Sequence, residues 1–152
     1  MKRPRTSVRP VSVLVVDGYP DAAASLAFVL NREGFSARAA LSGEEALAAA
    51  AAEPPEVVIV EPRTPGGGWD LARRLALPAV GERPLVVALT TDTTAAGREA
   101  ANSAGVSLYL VKPESPTVLV RALRRVGRTG RGSQRRGPGP ARGGRAPEGG
   151  CG

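Results

Sequence analysis

The chain has 152 residues, enough for one domain with a real core, and 21 Lys and Arg against 14 Asp and Glu give it a net charge of +7. It contains no His and one Cys, Cys151, which excludes the usual zinc-ligand sets, a nucleophile–His pair and an intramolecular disulfide. The apolar run at residues 13–16 is too short for a signal sequence, and no segment approaches the roughly 18–20 apolar residues that cross a membrane, so a soluble, cytoplasmic protein with no membrane partner is expected.

The charge is unevenly placed. Residues 1–10 carry four basic residues and no acid, residues 127–152 carry six Arg and one Glu, and residues 11–126 carry 11 basic and 13 acidic residues. A slightly acidic folded domain over 11–126 is therefore expected between a basic N-terminal arm, 1–10, and a basic tail, 127–152.

In chain order, residues 11–16 (VSVLVV) are β-branched and apolar on both faces, as in a strand buried on both sides. Pro20 and Asp21 open a helix with an apolar stripe at Leu26, Val29 and Leu30, and Gly34 follows its end. Residues 35–40 form a weaker strand. Ser42, with Glu45 three residues on, makes a capping box for an Ala-rich helix that runs to about Ala52. Pro54 and Pro55 stop it before strand 57–60, which is followed by helix 69–76, strand 85–89, helix 95–104, strand 106–111 and a last helix from about Pro116 to Val126. Such alternation predicts a parallel sheet with helices on both faces. From Gly127 onward there are ten Gly, three Pro and six Arg and no Val, Leu, Ile or aromatic residue, so that tail is expected to be disordered.

In an open parallel sheet, function collects beyond the carboxyl ends of the strands. There the sequence places Asp17, Glu61, Thr90 and Lys112. Any one of these is readily explained as the polar residue at which a strand ends; the four together are not.

The segments VLVVDGYPDA, VVIVEPRTPGG, LVVALTT and LYLVKPE, in that order and spacing, resemble the signature of the receiver domain of two-component response regulators. The resemblance covers residues 11–126. It implies a flavodoxin-like, doubly wound five-stranded sheet of order 2-1-3-4-5 with helices on both faces. It also implies a site in which an acidic pair after strand one and an Asp after strand three bind Mg²⁺, the last of these accepting a phosphoryl group from a histidine kinase. Carried onto this sequence, Asp17 is the first acid and Glu61 stands at the phosphoacceptor. Thr90 is the switch hydroxyl, Tyr109 the aromatic switch and Lys112 the phosphate-contacting lysine. The Lys112–Pro113 bond is expected to be cis.

Two departures fall on the chemistry. The second acid is missing, replaced by Gly18, and the phosphoacceptor is Glu61, whose carboxylate reaches roughly 1.5 Å further than that of Asp. In-line transfer tolerates such misplacement poorly, about 1 Å costing of order a hundredfold. Mg²⁺ binding is expected to be weak or absent, with Asp17 and Glu61 at most weak ligands, and no residue is assigned a catalytic role. Lesser departures are Thr91 where a small residue is usual, Glu114 where a Phe is frequent, Pro62 directly after Glu61, and a PGGGW loop one residue short. Two readings of Glu61 stay open: a mimic of the phosphorylated side chain that engages Lys112, or a decayed site left in a salt bridge.

These features predict a receiver module, not an enzyme, that works in phosphorelay signalling without being phosphorylated. Its output would run through a protein partner on the face of helix 4, strand 5 and helix 5, since no effector domain follows the last predicted helix. The alternative is a nucleic-acid-associated regulator whose tail arginines neutralise phosphates; the same composition also suits an inert extension. The Gly-rich stretch 66–68 lacks the Lys-Ser/Thr of a P-loop. Trp69 is expected to be a partly buried packing residue, and Cys151 an incidental exposed thiol.

Overall fold

The computed structural model describes residues 9–77, 83–112 and 115–133, without the side chains of 126–133. The sheet is formed by β1 (Ser12–Val16), β2 (Ser36–Ala40), β3 (Val57–Val60), β4 (Leu85–Thr90) and β5 (Leu108–Val111). The helices are α1 (Pro20–Arg32), α2 (Gly43–Ala52), α3 (Gly68–Ala76), α4 (Ala95–Ser103) and α5 (Pro116–Ser133). All strand pairs are parallel and their order is β2-β1-β3-β4-β5, the predicted topology.

Side-chain alternation along the central strands divides the core in two. Leu14, Val16, Val58, Val60, Val86 and Ala88 face one layer, where Ala46 of α2, Leu71 and Leu75 of α3 and Ala101 of α4 pack on them. Val13, Val15, Val57, Ile59 and Val87 face the other, against Ala27 and Leu30 of α1 and Leu119, Val120 and Leu123 of α5. Because β1 and β3 are covered on both faces, their apolar character is continuous rather than alternating.

The caps explain the boundaries. Ser42 Oγ accepts from Glu45 N at 3.1 Å, and Glu45 reaches back to Leu41 N, also at 3.1 Å. After α1, Gly34 N donates to Asn31 O and Phe35 N to Leu30 O, a Schellman closure with Gly34 at φ +93°. Gly105 (φ +88°) and Val106 close α4 in the same way, onto Asn102 O and Ala101 O.

That second closure corrects one expected boundary: Val106 N–H is committed to the helix end, so β5 begins at Leu108 and not at residue 106. The last helix is also longer than expected. It runs to Ser133, through the first seven residues of the segment assigned to the tail. The glycines there cost helix stability, about 1 kcal/mol each relative to Ala, but do not break it, and the first helix-breaking proline beyond Val126 is Pro138. The expected cis bond at Pro113, Glu114, most of the N-terminal arm, the rest of the tail and Cys151 lie outside the described residues. Among the described residues no helix is long and apolar enough to cross a membrane.

Candidate functional site

The sheet brings three of the predicted site residues into contact. Asp17 follows β1 and its N–H donates to Ala40 O, while Glu61 follows β3 and donates to Val16 O at 2.8 Å, so both extend the backbone ladder by one residue. Both are buried, at 6% and 7% exposure. Lys112 follows β5, tied by its N–H to Thr90 O at 2.7 Å. Its Nζ stands 3.1 Å from Glu61 Oε2 and 3.4 Å from Asp17 Oδ2. The remaining carboxylate oxygens are engaged locally: Asp17 Oδ1 accepts from Tyr19 N at 3.0 Å, and Glu61 Oε1 from Arg63 N at 3.1 Å.

The Lys112 ammonium is thus the counter-charge of two buried carboxylates. Burial acts to lower its pKa, but the hydrogen bond it donates to Glu61 and the charges of Asp17 and Glu61 outweigh that and hold it above its ordinary value. The triad carries a net charge of −1, since Gly18 contributes none.

Gly18 is closed as well as empty. A Cβ placed there would lie 2.6 Å from Pro65 Cδ. Pro65 belongs to the β3–α3 loop, which is fastened at several points. Thr64 N and Oγ1 both donate to Glu61 O, at 3.1 and 2.7 Å; Gly67 N donates to Thr64 O at 2.7 Å; Gly43 N donates to Pro65 O at 2.9 Å. Gly43 permits this docking because a Cβ there would fall 1.9 Å from Gly66 O. A side chain at position 18 would therefore require Pro65, or the loop that carries it, to shift. Among the described residues no three His, Cys, Asp or Glu side chains converge to hold a metal ion.

Thr90 is buried at the end of β4, yet its hydroxyl is turned to its own loop, accepting from Asp92 N at 3.2 Å. Asp92 is the centre of that loop. Its Oδ1 accepts from Thr94 N at 2.8 Å and Thr94 Oγ1 at 2.7 Å, bonds that hold its carboxyl below the ordinary value. Thr94 Oγ1 in turn accepts from Gly97 N, capping α4. Tyr109 OH donates to Asp92 O at 2.6 Å. Desolvation, together with the charge of Asp92, keeps the Tyr109 phenol above its ordinary pKa, with Arg98 opposing. The Tyr109 ring lies 4.9 Å from the Arg98 guanidinium carbon and 6.4 Å from Trp69. Trp69 is half-buried, as expected, and packs on the core.

The sequence pointed to Asp17, Glu61, Thr90 and Lys112 as one cluster; the structure joins Asp17, Glu61 and Lys112, while the Thr90 hydroxyl is engaged elsewhere. It places Thr90 and Tyr109 in a second network organised by Asp92, a residue the sequence did not single out. It also adds Pro65, Thr64 and Gly43. The signal for Thr64 and Pro65 was the short PGGG loop; Gly43 had none, because nothing in one chain's sequence says which surface a loop closes upon.

A parallel sheet of order 2-1-3-4-5, with carboxylates after β1 and β3 meeting a lysine after β5, defines a receiver-type α/β domain. Residues 13–124 match the response regulator receiver domain family, and the chain belongs to it, a receiver of two-component signalling. Among its relatives is an uncharacterized 14.6 kDa protein in the sodA1 3′ region of Leptolyngbya boryana, 32% identical over 74% of this chain and 87% of that protein. Another is the probable transcriptional regulatory protein TcrX of Mycobacterium tuberculosis, 35% identical over 79% of this chain but only 51% of TcrX, so the chain spans about half of that relative. The chemotaxis response regulator CheY4 of Vibrio cholerae superposes with a TM-score of 0.71 at 26% identity, covering 77% of this chain and 98% of CheY4.

Proposed function

We propose that this receiver operates without phosphorylation and without Mg²⁺, and signals by binding a protein partner through the face of α4, β5 and α5. The observation that carries this reading is the Lys112 ammonium bonded to both Asp17 and Glu61. A divalent cation held by those two carboxylates would have to displace an ammonium that is already paired twice. It would also lack a third carboxylate, because position 18 is a glycine. Mg²⁺ demands near-octahedral oxygen coordination, and the two carboxylates that could supply it are both engaged by Lys112.

Of the two readings of Glu61, a salt-bridged site is the better supported. Glu61 does reach Lys112, as a phosphomimic would, but the Thr90 hydroxyl is bonded to Asp92 N in its own loop. The partner face is argued from Tyr109: its hydroxyl, Arg98 and the Asp92 loop are tied together, and Trp69 connects that ring to the start of α3.

The test is to titrate the wild-type chain with Mg²⁺ while following Trp69 fluorescence, then to measure its intact mass after incubation with acetyl phosphate and Mg²⁺. The expected result is no saturable fluorescence change and no added phosphoryl mass. A phosphoryl adduct on Glu61 would overturn the reading.

A further inference from the structure

Helix α5 is 18 residues long, about 27 Å at 1.5 Å per residue. Its buried stripe, Leu119, Val120 and Leu123, packs on the sheet. At about 100° per residue, positions 121, 124, 125, 128 and 131 fall within an arc of about 120° outside that stripe, with 131 at its edge about 20° from Val120, and all five are arginine. Arg121 and Arg124 are exposed, and Arg124 also reaches back to Glu33 at the end of α1 at 3.1 Å. From Ser115 to Pro147 the sequence holds nine Arg, no Lys and no acid. An ordinary solvated helix face mixes both signs; this one does not.

We propose that the arginine face of α5 is a sequence-independent docking surface for the backbone of duplex DNA. The inference goes beyond the reading of the Glu61 site and holds whichever way that site behaves. Duplex DNA presents one negative charge about every 1.7 Å of axis, a density that a row of arginines along one helix can meet at several points. Arginine's planar fork binds phosphate in bidentate fashion, which lysine cannot do. Single strands are disfavoured as the occupant, because their binding relies on aromatic stacking and no aromatic residue follows Tyr109. A lipid surface is disfavoured because the apolar side of α5 is already buried against the sheet.

The test uses the full chain and a labelled duplex of arbitrary sequence, followed by anisotropy over a range of salt. The wild type is expected to bind at low salt, with equal affinity for two unrelated sequences. The Arg121→Ala, Arg128→Ala, Arg131→Ala variant should bind at least about tenfold more weakly, and its log K against log salt should be shallower by about 2.7, or 0.9 for each of three lost phosphate contacts. The corresponding triple Lys variant, which retains charge, should keep the wild-type slope. Absence of binding at low salt, or an unchanged slope in the alanine variant, overturns the proposal. So does displacement of the duplex by polyglutamate, single-stranded RNA or anionic vesicles at equal charge.

Discussion

At Lys112 one ammonium answers two carboxylates that the sheet has taken out of water. Replacing it by Met keeps the apolar stem and leaves both acids without their counter-charge. Lys112→Met is expected to destabilise the chain by about 2–3 kcal/mol, below the roughly 3–5 kcal/mol of breaking a fully buried pair because the lysine side chain is itself 29% exposed. A urea titration checks this, and an unchanged midpoint would mean that the pairing contributes nothing. The pH dependence has a definite sign. The folded state holds the Lys112 proton more tightly than the unfolded chain, so the contribution is complete below the ordinary lysine value of 10.5 and is lost as pH rises through the folded value. Tyr109 acts in the same direction, since its raised pKa keeps a proton that the unfolded chain releases from about its ordinary value of 10.0. Wild-type stability should therefore show no contribution from either group to its slope at neutral pH and should fall in the alkaline range, less steeply in Lys112→Met.

Among the elements, the β3–α3 loop does most to distinguish this site. It docks because two glycines allow it: Gly66 adopts φ +67°, and Gly43 has no Cβ to strike the Gly66 carbonyl. Gly43→Ala puts a methyl group 1.9 Å from that oxygen, an atom of the backbone that cannot swing aside. A loss of about 2–3 kcal/mol is expected, toward the upper end of overpacking costs, and thermal unfolding of the variant measures it. The Ser42–Glu45 box and the glycine after α1 were legible in the sequence because caps are written in adjacent residues. The start of β5 was less legible, since Val106 reads as a strand residue until its N–H is seen to close α4. The end of α5 was misplaced for a related reason: composition weighed the glycines and not the absence of a nearby proline.

For the molecule as a whole, the topology followed from alternation of apolar runs and helical segments, because a buried parallel strand has to be apolar on both faces. The meeting of Asp17, Glu61 and Lys112 followed from their shared position at strand ends. What the sequence did not contain was the reciprocal packing of loops that are distant along the chain. Pro65 on Gly18 spans 47 positions, and neither residue type announces the other. Gly18 alone looked like a missing acid; with Pro65 above it, it is a filled position. The central claim is that this receiver is kept from phosphoryl transfer by its acids and its loop together. Intact mass after acetyl phosphate and Mg²⁺ tests it most directly, applied to the Gly18→Asp, Glu61→Asp chain with and without Pro65→Ala. The account predicts no phosphoryl adduct with Pro65 in place and an adduct once it is replaced by Ala. An adduct on the double variant with Pro65 intact would contradict the steric half of the claim. Its absence from the triple variant would contradict the claim that these three residues are what holds the chemistry off.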